Sequence, residues 1–243
     1  MHDVIRRCSA IAAIVLGSAA AYCVDPPDLR INSVSGLIEI VEATWSGSNF
    51  NVRYTQVTSD GEFRSSQPIT SNAANDLDPR IASAPSGDAV VVWWRDLKVD
   101  AVVYRKRSQA TGAWSPERTV GRTTESGSHP RIACFGVEPW VAYQIQGSKS
   151  RSVGVQIIDD DPEPFRSIIA TTSYNGDLEI QIDAELDHLW VTWIDSASHV
   201  GFSEYDSEAK LWAVPKFEPF SADSVIAARS RIRERVLYIA AAN

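Results

Sequence analysis

The sequence predicts an all-β protein assembled from a repeated four-stranded unit of about 49 residues. Three observations carry that expectation. The segment Asp78-Pro79-Arg80-Ile81-Ala82 recurs as His129-Pro130-Arg131-Ile132-Ala133. β-rich runs end in an aromatic at Trp45, Trp94, Tyr143, Trp193 and Tyr238, spaced 49, 49, 50 and 45 residues apart. A second aromatic series, Phe63, Trp114, Phe165 and Trp212, follows 18 to 22 residues later, each member just after a polar turn. No long amphipathic helical period interrupts the pattern.

The first element lies outside the repeat. Arg6 and Arg7 precede an apolar run over residues 8–21 that closes on Ala19-Ala20-Ala21. A basic start, a short apolar core and small residues at its end describe a secretory signal peptide, with cleavage expected after Ala21. The run is shorter than the roughly 20 residues a spanning helix needs, so no membrane span is expected. Tyr22 is too bulky for the small residue that a lipobox places before its cysteine, which argues against lipidation of Cys23. The mature chain is thus expected to be secreted or periplasmic, with residues 22–243 forming the repeat domain.

Within that domain the units fall at about 28–76, 77–127, 128–176, 177–222 and a partial 223–243. The inner strand of each starts near Arg30, Arg80, Arg131, Glu179 or Ser224. The second strand ends on the first aromatic series. Two positions earlier sit Ala43, Val92, Val141, Val191 and Val236, on one strand face by the period of two. The third strand is read from runs such as Ala101-Val102-Val103-Tyr104, Val153-Gly154-Val155-Gln156 and Val200-Gly201-Phe202, and the fourth opens on the second aromatic series. A four-stranded repeat of this length is the signature of a β-propeller blade. Four blades are complete and the fifth stops five residues after Tyr238. That leaves an open arc, a five-bladed ring with one thin blade, or a piece of a longer propeller. An exposed blade edge would favour self-association.

The blade repeat accounts for the eight tryptophans. Trp45, Trp94 and Trp193 end the second strand, Trp114 and Trp212 open the fourth, and Trp140 and Trp190 share a slot. Only Trp93 stands outside the pattern. Inter-blade packing is the expected use of the repeating slots.

Composition narrows the function. With 23 basic against 31 acidic residues the net charge is -8, which argues against a nucleic-acid or anionic-membrane partner. No CxxC or HExxH motif is present, and the four His, at 2, 129, 188 and 199, are scattered, so neither a metal nor another cofactor is implied. Cys134, in an apolar run, reads as a buried free thiol. The acidic run at 159–161 with Glu163 lacks a recognisable Ca²⁺ ligand spacing and reads as a solvated turn.

Two sets of residues are candidates for a ligand site. Arg30, Arg80 and Arg131 share one repeat position, which the fourth unit fills with Glu179. In a propeller the start of the inner strand and the loop after the second strand share a face near the axis. There the three guanidinium groups would converge on an anionic sugar or a peptide carboxylate. Alternatively they pair with neighbouring carboxylates such as Asp78, or stack on a tryptophan. Asp96 and Asp195 sit at matching positions, two residues past Trp94 and Trp193, in loops of that same face.

The units P-R-I-A…G…V-V-x-W, V-Y-x-R and T-G-x-W-S-P resemble the BNR or sialidase-like propeller repeats of secreted bacterial proteins, over roughly residues 28–243. The Asp box of that family is degenerate here, as in Thr58-Ser59-Asp60-Gly61-Glu62-Phe63 and Ser108-Gln109-Ala110-Thr111-Gly112-Ala113-Trp114. For an active member the resemblance implies a Tyr nucleophile, an acid carboxylate and an arginine cluster. Catalytic residues cannot be assigned from this sequence. The arginine series follows the repeat, whereas a catalytic constellation usually breaks it. The expected function is therefore an exported, non-catalytic module that binds a carbohydrate or protein on the loop face with Arg80, Asp96, Arg131 and Asp195. A sialidase-like glycoside hydrolase and a truncated propeller without independent function are the alternatives.

Overall fold

In the computed structural model every assigned strand joins an antiparallel sheet. Side chains and backbone are described for residues 26–121, 126–159, 165–171, 178, 180–184, 188–194 and 200–217, and backbone alone for 172, 185, 218, 227–233 and 236–242. The expected signal peptide, Cys23, Glu179, Asp195 and Ser224 lie outside these described residues.

The first sheet contains β1 (Asp28–Ile31), β2 (Ile38–Trp45), β3 (Phe50–Val57) and β4 (Phe63–Pro68), in that spatial order. The second contains β5 (Asn75–Ser83), β6 (Ala89–Asp96), β7 (Ala101–Arg107) and β8 (Arg118–Val120). The third contains β9 (Ser126–Phe135), β10 (Glu138–Gln146), β11 (Arg151–Ile157) and β12 (Arg166–Thr172). The fourth contains β13 (Ile180–Glu185), β14 (His188–Ile194), β15 (Val200–Asp206) and β16 (Leu211–Trp212), with β17 (Lys216–Glu218) also pairing β15. A hairpin of β18 (Ala227–Arg233) and β19 (Val236–Ala242) follows. Each sheet is an up-and-down meander, as short polar turns between alternating runs require. The inner strands succeed one another: β5 packs on the first sheet, β9 on the second, β13 on the third, and β18 on β13 and β14. This is a β-propeller.

The core lies between neighbouring sheets. Val41, Val52, Tyr54, Ile81, Val91 and Trp93 join the first to the second. Val92, Tyr104, Ile132, Val141 and Tyr143 join the second to the third. Trp140, Val155, Ile180, Val191 and Trp193 join the third to the fourth. Trp140 anchors this last boundary, its ring 4.7 Å from that of Tyr205 and 5.6 Å from that of Phe165.

These clusters correct the tryptophan register. Trp93 packs towards the preceding sheet, as do Tyr143 and Trp193, and these three recur at 50-residue spacing. Val41, Val91, Val141 and Val191 precede that slot by two, each fully buried. Trp93 is thus the repeating position, while Trp94 contacts the His129 ring at 5.2 Å in the next sheet. Across the strand pair Tyr143 lies opposite Gly154, and Trp193 opposite Gly201. A Cβ at Gly201 would meet the Trp193 ring at 2.5 Å, so the glycine makes room for the indole.

The outer strands also depart from expectation. Trp114 makes only an isolated bridge to Arg107, and β8 begins four residues later. Pro116 sits in that gap, and Pro215 sits in the gap between β16 and β17. A proline brings no N–H to the ladder, so the fourth strand breaks at each.

Candidate functional site

The recurring Pro-Arg-Ile-Ala motif builds a bulge. The ladder between β5 and β6 shifts register between Leu77 and Arg80, and that between β10 and β9 shifts between Ala142 and Gln144. Asp78 and His129 head the two motifs and adopt φ of 48° and 49°. Asp and His enter this left-handed region more readily than most residues. A residue before proline is normally extended, so both positions hold local strain.

The bulge turns the Asp78 carboxylate towards two arginines. Arg80 forms an ion pair with Asp78 Oδ1, and Arg131 Nη1 donates to Asp78 Oδ2 at 2.8 Å. Each guanidinium also donates to the carbonyl of the preceding proline. His129 Nδ1 lies 3.7 Å from Asp78 Oδ2. Burial opposes ionisation of Asp78, but the His129 hydrogen bond and the two guanidinium charges outweigh it and hold the carboxyl at about 2. Asp78 is therefore ionised at neutral pH, and it ties the third sheet to the second.

Of the four candidate residues that are described, Arg80 and Arg131 meet on Asp78, while Arg30 and Asp96 lie elsewhere. Arg80 lies five residues into β5, which begins at Asn75. At about 3.3 Å per residue it is roughly 16 Å below the loop face, not at it. Asp96 ends β6 opposite Asn75 on that face, well away from the arginines. Arg30 lies across the β1–β2 ladder from Glu39, close to the turn at the opposite end. There its Nε donates to the Ile81 carbonyl at 3.1 Å, while Asp28 Oδ2 accepts from the Ile81 N–H at 2.8 Å. Arg80 and Arg131 are set back from the loop face because β5 and β9 begin earlier than expected and carry the bulge.

Sequence reasoning missed two buried carboxylates. Glu39 is fully buried and accepts from Tyr54 Oη at 2.6 Å, Asn32 Nδ2 at 3.1 Å and Ser83 Oγ at 2.9 Å. Burial, then the hydrogen bond to Glu39, pushes the Tyr54 phenol upward. Asp76 accepts from Trp93 Nε1 at 3.0 Å and from Arg95 Nε at 2.7 Å, and Arg95 Nη1 reaches Glu117 at 2.9 Å. Burial opposes the Arg95 charge, but these two carboxylates hold it firmly protonated. A signal was present: Glu39 and Glu42 interrupt the otherwise apolar run Ile38-Glu39-Ile40-Val41-Glu42. Among the described residues no group of three or more His, Cys, Asp or Glu could hold a metal.

One cavity lies on the axis, at the ends of the inner strands away from the loop face. It has about 270 Å³ and is lined by Arg30 and Ile31, Ala82 and Ser83, Ala133 and Cys134, and Ile182 to Ala184. Cys134 is a free, half-buried thiol, and burial pushes it up to about 11 against the opposing charge of Arg30.

The chain matches no protein-family model and no curated protein sequence. Among solved structures it is similar to the NanB sialidase of Streptococcus pneumoniae, with TM-score 0.57 and 7% identity over 88% of this chain and 55% of that one. An exo-beta-1,3-galactanase from Clostridium thermocellum gives TM-score 0.54 and 8% identity over 79% of this chain and 47% of that one. A protein of unknown function from Dyadobacter fermentans DSM 18053 gives TM-score 0.57 and 12% identity over 69% of this chain and 48% of that one. The chain thus spans about half the length of the structures it matches. At these identities the likeness shows a β-propeller fold shared with sialidases and galactanases.

Proposed function

We propose that the chain is an exported, non-catalytic β-propeller, built of degenerate sialidase-type repeats, that binds a carbohydrate on its loop face. The observation that carries this reading is the neutralisation of Arg80 and Arg131 on the buried Asp78. Those arginines are occupied in joining two blades, which leaves no open arginine cluster for a substrate carboxylate among the described residues. The Tyr54–Glu39 pair, a tyrosine beside a carboxylate as in a glycosidase nucleophile and its partner, is sealed between sheets with Tyr54 fully buried.

The loop face offers a different chemistry. Trp45 is 46% exposed and contacts Phe50 at 5.1 Å, whereas the inter-blade aromatics Trp93, Tyr143 and Trp193 are buried. The Phe50 N–H donates to Asn75 Oδ1 at 3.2 Å, and Asn75 Nδ2 reaches the exposed Asp96 carboxylate at 3.5 Å. An open indole beside an amide and a carboxylate suits a sugar ring, whose apolar face stacks while its hydroxyls donate to Asp96. Binding of the purified chain to a glycan array, weakened about tenfold or more by Trp45→Ala, is the expected result. Release of a fluorogenic sialoside, abolished by Arg80→Ala, would sink the reading.

A further inference from the structure

The axial cavity lies at the opposite end from the loop face and does not depend on that reading. Its wall holds the Arg30 guanidinium, and among the described residues no carboxylate forms an ion pair with it. The Nε bond to the Ile81 carbonyl fixes the plane of the guanidinium. Across the wall, Ser83 gives its hydroxyl hydrogen to Glu39 Oε2, and Glu39 is itself oriented by Tyr54 and Asn32. Ser83 Oγ is therefore left as an acceptor whose lone pairs are free for a donor in the cavity. Ala82, Ala133 and Ala184 keep the space between these groups open. Asp183 also lines the wall and has a partner of its own.

We propose that this cavity binds a small hydroxylated anion, its carboxylate or phosphate on the Arg30 guanidinium and its hydroxyl donating to Ser83 Oγ. The fork geometry of arginine suits either oxyanion. The volume, about 270 Å³, falls just below the usual range for drug-sized ligands of roughly 300–1,000 Å³ and suits a molecule of a few carbons.

Cys134 lines the same cavity and reports its occupancy. The full chain is labelled with N-ethylmaleimide at about pH 8, and the rate at Cys134 is read by peptide-resolved mass spectrometry. Glycerate and glycerol phosphate are the probes, with propionate and glycerol as controls. At ten times the Kd of a probe, labelling slows about tenfold, following 1 + [L]/Kd. Glycerate alone protecting assigns a carboxylate ligand, and glycerol phosphate alone protecting assigns a phosphate. Arg30→Gln removes protection by either, and Arg30→Lys keeps part of it. Ser83→Ala erases the advantage of glycerate over propionate, which decides the matter if Arg30→Gln does not fold. Absence of protection by both probes at about 10 mM, protection that survives Arg30→Gln, or equal protection by propionate in the unaltered chain overturns the proposal.

Discussion

Asp78 balances two arginines from neighbouring blades on one carboxylate, so its removal leaves both guanidinium groups, each only about 15% exposed, without a counter-charge. Asp78→Asn is expected to destabilise the protein by about 3 kcal/mol. The depressed pKa makes a second prediction of sign. A carboxyl held near 2, against 3.8 ordinarily, stabilises the fold above pH 4 and loses that contribution as pH falls towards 2. Urea unfolding across that window should show about 2 kcal/mol of loss in the parent chain that is missing in Asp78→Asn. Equal slopes would contradict the assignment. The Pro-Arg-Ile-Ala motif already exposed these arginines, and Asp78 as a partner, in the sequence. The left-handed backbone at Asp78 and His129 was not legible, because local preference before proline is extended and the neighbouring sheet overrides it. Nor was the Glu39 network, whose Ser83 partner lies 44 residues away.

The second strand of each blade is the element that organises the repeat. Its existence and length follow from sequence, because apolar runs between Gly-containing turns leave little alternative. Its facing does not. Both sides of β6 are buried, so the alternation of apolar and polar residues that would mark an inner face is missing. An offset of one residue therefore placed Trp94 in the slot that Trp93 occupies. The two positions should respond differently to truncation. Trp93 is fully buried and its indole N–H bonds Asp76, so Trp93→Ala is expected to cost about 4 kcal/mol and to leave a carboxylate short of a donor. Trp94, only partly buried, should cost less than half as much. Thermal unfolding of the two variants side by side checks this, and equal losses would restore the other register.

The molecule as a whole is a series of sheets that stack on their neighbours, a fold legible from the period of the chain alone. What the period cannot show is how one blade is aligned against the next along the axis, since apolar contacts between blades permit sliding. At the first boundary that freedom is removed at Ile81. As part of an inner edge strand, its outward N–H and C=O have no ladder partner, and Asp28 and Arg30 satisfy one each. Asp28→Ala should therefore speed hydrogen exchange at the Ile81 amide about tenfold or more, with little change at amides inside the β2–β3 ladder. Unchanged exchange at Ile81 would contradict this. In mechanical terms the two side chains act as a key in a keyway. Shear of the first blade along the axis must break both bonds at once, while rotation of the blade outward can release them one after the other. The boundary is thus stiff to sliding and comparatively compliant to opening, an anisotropy that pulling the first sheet in two directions would measure.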